Sequence, residues 1–362
     1  MHLPPLDVAI YPVVTMSRGS HSKRLVRPSS TASSTSSSST ESSQSCSASP
    51  DFLSIQKIIR AVFRTSKITV QHAERLQGWL HQVYLARLAD GNCLVLKCPP
   101  SHNTRVLRHE KHFLESERTT LETLHEYTQL PVPQVIKHDH QGGALGSPYL
   151  MMTYLPGRRL SEIARRLTPT ERHSIDRTLG TYVGALTALS ATQFGMTRRV
   201  FAKKGCSTWK EAFLSLLESV LRDGEDMLVT IPYESVRYYI GKCSHFLDQA
   251  TQPRLVALNV CDPQNVLIDE QTKRVTGLVG FSNVIWGDPL MCGGIANGSD
   301  AFFAGLGERL AETEGIQARL HMYTAYRAIV DIVAHHCRSH QGTYDMDARR
   351  SLSHALNELA KM

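Results

Sequence analysis

No stretch of this sequence reaches the ~18 uninterrupted apolar residues of a membrane span, so no helical span is expected. The eight cysteines, at positions 46, 93, 98, 206, 243, 261, 292 and 337, include no C-x-x-C pair, so zinc has no local signature. Sparse and set in apolar runs, they read as reduced, mostly buried thiols. No lysine/arginine stripe is interleaved with aromatics, and the formal charge of +7 is scattered along the chain. A nucleic-acid partner is therefore not expected. A mild positive excess suits a small anionic ligand, or simply a solvated surface.

What is present divides sharply near residue 50. Ser29 to Pro50 reads SSTASSTSSSSTESSQSCSASP, a low-complexity run with almost nothing to bury. The expectation is a disordered tail over residues 1–50. Arg18, Lys23, Arg24 and Arg27 precede that run, with Asp7 the one acid. Arginine and serine without acids also describe a mitochondrial transit peptide. The expected compartment is the cytoplasm, with the mitochondrion as the alternative.

From Asp51 the pattern becomes that of a folded chain. PDFLSIQKIIRAVF has helical apolar spacing, with Asp51 at the N-cap position. KITVQHAERLQGWLHQVYLARLADGNCLVLKCPP predicts strand, glycine turn, strand, D-G hairpin and strand. Residues 104–128 predict one long helix, LPVPQVIKHD cannot be helical, and SPYLMMTYLPGRRL predicts a strand entering a P-G turn. Helical patterns then fill 161–190, 208–228 and 233–249, short strands occupy 255–285, and 308–314, 316–338 and 346–361 are helical again. The GGIANG stretch at 293–298 reads as an ordered surface turn. The fold class is α+β with two lobes: a small β-rich N-lobe over 51–153 and a larger helical C-lobe over 154–362. A hinge near 152–157 implies an interlobe cleft, where a small ligand is expected.

Several residues could carry chemistry there. Lys97 ends an apolar strand and could aim an ammonium into the cleft, where phosphate transfer needs a cation. Glu110, Glu115 and Glu117 on the following helix are possible partners, and Glu117 is backed by Leu121 and Leu124. Gly78 stands one hairpin before Lys97, where a nucleotide-covering loop would lie. In order, Lys97, a helix carboxylate, a proline-bounded strand, MMTYLPG and DPQNVLID…GLVGF…WGDP resemble the aminoglycoside phosphotransferase-like family, within the protein-kinase-like fold. The resemblance covers roughly residues 68–338.

That resemblance implies ATP and Mg2+ as cofactors, and it assigns roles. Lys97 and Glu117 match the phosphate-clamp lysine and its partner, Met152 and Tyr154 lie at the nucleotide-facing hinge, and Asn265 matches the asparagine that helps hold magnesium. The family's catalytic Asp falls on Val260, the His that opens its motif on Leu258, and its metal-holding Asp on Gly280. The clamp is kept while the base and the main metal ligand are not. Losing a positioned base typically slows a reaction ~10²–10⁴-fold. The reading is a divergent member that binds a nucleotide or other small metabolite and transfers phosphate weakly or not at all. Two others stay open: an active small-molecule kinase using Asp262, two residues past Val260, as its base; and a scaffold with no ligand. Asp262 also reads as a turn residue before Pro263, and Asp288 in WGDP as a turn or cap.

Overall fold

A computed structural model describes residues 52–141, 146–309, 311–338 and 344–362. The serine-rich tail and the Asp51 cap lie outside the described residues. The N-lobe is an antiparallel sheet, built from β1 (Val70–Leu76), β2 (Gln82–Leu88), β3 (Cys93–Cys98), β4 (Val135–Asp139) and β5 (Tyr149–Thr153), in the order β1-β2-β3-β5-β4. Helix α1 (Phe52–Phe63) covers one face and α2 (Phe113–Tyr127) lies against the other.

The two-residue period of a strand decides which side chain meets which helix. On β3, Leu94, Leu96 and Cys98 join Ile55, Ile58 and Ile59 of α1 in one core, and Tyr149 and Met151 of β5 point the same way. Val95, Leu150 and Met152 belong to the other core, with Leu121 and Leu124 of α2. Lys97 shares the parity of Val95 and so emerges on the α2 side.

The C-lobe begins with β6 (Arg158–Arg159) and α3 (Leu160–Ile163). Helix α4 (Pro169–Thr187) starts at Thr168, whose side chain and that of Glu171 satisfy each other's backbone N–H groups, with Pro169 at the first helical position. Then come β7 (Gly195–Met196), α5 (Thr197–Phe201), α6 (Trp209–Asp226) and α7 (Tyr233–Cys243). A strand-rich stretch follows: β8 (Arg254–Ala257), β9 (Val266–Ile268), β10 (Val275–Leu278) and β11 (Val284–Gly287). Helices α8 (Gly293–Ala296), α9 (Asp300–Leu306), α10 (Glu314–Cys337) and α11 (Tyr344–Lys361) complete the lobe. Trp209, Phe213, Tyr323 and Tyr326 form its aromatic centre. No helix among the described residues is long and apolar enough to cross a membrane.

Three local expectations need correction. The helix expected over 104–128 occupies only 113–127 as α-helix, preceded by a single 3-10 turn at 108–110. Long-range partners set the geometry of that approach: Arg108 pairs with Asp223 and Asp226, and Glu110 takes a bidentate contact from Arg338. The GGIANG stretch is not a surface turn. Gly293–Ala296 is a short helix, with Ile295 buried and the Gly293 N–H donated to Leu258 O at 3.1 Å. The helix expected over 308–314 lies earlier, at 300–306, between a Ser299 N-cap and a left-handed Gly307.

Asp288 does more than cap a turn. Its Oδ1 accepts from Leu290 N, while its Oδ2 accepts from Arg319 Nη1 and Tyr323 OH, both at 2.7 Å. Trp209 Nε1 donates to the same tyrosine hydroxyl at 2.6 Å. This network joins the corner after β11 to α10 and α6.

Candidate functional site

The parity of β3 carries Lys97 toward α2, and Glu117 faces it. Lys97 Nζ lies 2.5 Å from Glu117 Oε2, with the side chains 13% and 4% exposed. Glu115 instead pairs with Arg198, and Glu110 with Arg338. Met152 is buried on the same face of the sheet, and Tyr154 is the first residue past Thr153 on the way to the C-lobe.

The β1–β2 connection carries Gly78. A Cβ on Gly78 would sit 2.4 Å from His81 O, so the turn closes too tightly for any side chain. His81 itself is buried. Burial, with the Lys97 ammonium nearby, pushes its imidazole well below the ordinary value. His109, buried against Phe113 with Nδ1 unpartnered, is also lowered by burial. Both rings are neutral at pH 7. An unfolded chain takes up these protons near pH ~6.5 while the folded chain does not. Stability is therefore complete above that pH and falls as the pH drops below it, by up to ~1.4 kcal/mol per group per pH unit. The melting temperature is expected to fall between pH 7 and 5.5, and His109→Gln should flatten that slope. An unchanged slope would count against the buried neutral ring.

The loop from Leu258 to Asn265 forms the opposite wall. Val260 is 2% exposed and packs in the C-lobe core. Asp262 is exposed, and its Oδ1 accepts the Gln264 N–H at 2.8 Å, the turn geometry of an Asp before proline. Asn265 Nδ2 donates to Asn259 O at 2.9 Å. Gly280 has φ +83°, and a Cβ there would lie 2.6 Å from Asn265 Oδ1. The asparagine carboxamide thus fills the space that a side chain at 280 would need.

Two further groups are not legible in the sequence. Asp331 lies on α10 four residues past Arg327. Loss of hydration pushes its carboxyl up to about 6; Arg327 pulls it down and the Asp262 carboxylate pushes it up. Asp331 thus opposes the histidines' pH trend. Arg159 of β6 spans the cleft, donating to Gln77 O and to Gln264 Oε1. Neither group is legible locally, because each is defined by partners far away in sequence.

A family model described as the phosphotransferase enzyme family, APH, matches residues 72–329. The chain belongs to this family. No curated protein matches it. A candidate fructosamine-3-kinase from Thermobifida fusca is similar in structure, with TM-score 0.58 and 18% identity, covering 85% of this chain and 99% of that one. A thermostable mutant of aminoglycoside phosphotransferase APH(4)-Ia, in ternary complex with AMP-PNP and hygromycin B, gives TM-score 0.59 at 15% identity, covering 85% and 100%. The GDP and kanamycin complex of APH(2")-IIIa gives 0.56 at 17%, covering 84% and 99%. At these identities the likeness establishes the protein-kinase-like α+β fold.

Magnesium, which the family implies, fits these residues poorly. Such an ion is usually held by one or two carboxylates plus substrate phosphates. Asn265 offers one neutral oxygen, Gly280 offers none, and Asp262 is engaged in its own turn. Among the described residues, no group of three or more His, Cys, Asp or Glu could hold a metal ion.

Proposed function

We propose that this chain is a divergent phosphotransferase-family protein that binds a nucleotide, or a metabolite resembling one, in its interlobe cleft and transfers phosphate weakly or not at all. The observation that carries this reading is the pair of residues at the positions the resemblance assigns to carboxylates. Val260 is buried in the core, and the space beside Gly280 is filled by Asn265. Neither can take a proton or neutralise a phosphate. The Lys97–Glu117 pair supports retained binding, since such a cation is needed to hold phosphate even where no chemistry follows. Nucleotide-bound structures among the relatives, with AMP-PNP and with GDP, support the ligand class.

The test is thermal-shift titration with ATP, ADP and GTP. A ligand that binds only the folded state at 100 times its Kd stabilises by ~2.7 kcal/mol. A clear rise in melting temperature is expected, and its loss in Lys97→Met. No rise with any nucleotide would leave the scaffold reading standing.

One observation favours the second reading, an active small-molecule kinase. The Asp262 carboxylate bears on Asp331 at the edge of the loop, and the Asp331 carboxyl is raised to about 6, near the range of a general base. Phosphate transfer to hydroxylated acceptors should be assayed in wild type, Asp262→Asn and Asp331→Asn. Robust turnover that collapses in Asp262→Asn would replace the binding reading with this one. The expected result is no turnover above the enzyme-free background in any of the three.

A further inference from the structure

Arg159 is placed to do what the loop asparagine and Gly280 do not. Its Nη2 donates to Gln77 O at 2.6 Å, beside Gly78, and its Nη1 donates to Gln264 Oε1 at 3.2 Å, beside Asn265. One side chain therefore touches both the turn that covers the cleft and the loop that floors it. Both of its partners are neutral. The neighbouring Arg158 is countered by Glu162 and Glu270, at 3.3 and 3.4 Å, and Lys97 is countered by Glu117. Among the described residues, Arg159 has no carboxylate partner.

We propose that Arg159 is an anion clamp that binds the phosphate groups of the nucleotide. Its fixed charge stands in for the metal charge that Asn265 and Gly280 are not built to hold. The proposal rests on the reading of the cleft as a nucleotide site. A guanidinium presents five N–H donors in a planar fork that matches two phosphate oxygens at once. A bound diphosphate would draw the fork away from Gln77 O and Gln264, two neutral acceptors that water can serve instead. Binding then needs no divalent cation, favours di- and triphosphates over nucleosides, and weakens as salt screens the contact.

Calorimetric titration with ADP and with adenosine, in buffer containing EDTA, tests this on the wild type, Arg159→Gln and Arg159→Lys. Arg159→Gln should weaken ADP binding about 10- to 100-fold, the size of a lost charge-assisted contact. Adenosine affinity should change less than twofold. Arg159→Lys should fall between, keeping the charge but losing the fork. The melting temperatures of the unliganded variants, expected within ~2 °C of wild type for a surface change, separate a lost clamp from a damaged fold. Wild-type ADP binding that Arg159→Gln leaves unchanged or strengthens would overturn the clamp alone, as would wild-type binding that requires magnesium. Wild-type protein that binds neither probe would overturn the nucleotide reading and the clamp with it.

Discussion

The Val260→Asp variant is expected to melt several degrees below the wild type at neutral pH and to recover part of that loss on acidification. Val260 is 2% exposed among core side chains, so a carboxylate there would lose its hydration without a built partner. Burying an unpaired polar or charged group costs several kcal/mol unless the group neutralises. The carboxyl would therefore titrate above its unfolded value near ~3.9. A group with a raised folded pKa supports the fold only while it is protonated, and that support is lost as pH rises through the folded value. The variant should thus be less unstable at pH 5 than at pH 7, opposite in sign to the effect of the buried histidines. Adding Gly280→Asp should make matters worse. The left-handed backbone at 280 costs a non-glycine residue ~1–3 kcal/mol, and the new Cβ would displace the Asn265 carboxamide from its bond to Asn259 O. Thermal melts at the two pH values decide the matter. A double variant that is as stable as wild type and hydrolyses nucleotide would show that the site needed only its acids back.

Glu110→Ala should lower stability by about 3–5 kcal/mol, the cost of leaving one half of a buried ion pair alone. Glu110 and Arg338 are each 3% exposed at the side chain, 228 residues apart, and the carboxylate takes both guanidinium Nη groups as well as the Leu107 N–H. Denaturant melts of Glu110→Ala and of Glu110→Leu with Arg338→Met check this. The double variant should be more stable than Glu110→Ala, because no orphan charge remains. A loss below ~1 kcal/mol in Glu110→Ala would mean that water reaches Arg338 and that the pair is not truly buried.

Both predictions turn on residues whose importance differs in how far it could be read from sequence. The lobes, the hairpins and the order of Lys97, Glu117, the hinge and Asn265 were legible because each rests on a local pattern: period-two strands, Asp90-Gly91, Pro-Gly, a helix-forming run. Val260 and Gly280 stood out because the motif around them is intact. Glu110, Arg338, Asp223, Asp288 and Arg159 were not legible in their roles. Each is an ordinary charged residue on its own segment, and its partner lies 31 to 228 residues away. The shortened start of α2 is hidden for the same reason: local propensity favours helix, while distant carboxylates and arginines hold the chain in another shape.

The ion pair at the approach to α2 also governs how the cleft can move. Glu110 stands three residues before the first residue of α2, and Glu117 is the fifth residue of that helix. At one end this segment is bolted to α10 through Arg338 and to α6 through Asp223; at the other, Glu117 grips the sheet through Lys97. Sliding one lobe past the other would break one of these ion pairs, whereas parting the cleft at Arg159 breaks only contacts to neutral acceptors. The Arg159 contacts to Gln77 and Gln264 are therefore the easiest to give up when the cleft admits a ligand, and the lysine–glutamate grip the hardest.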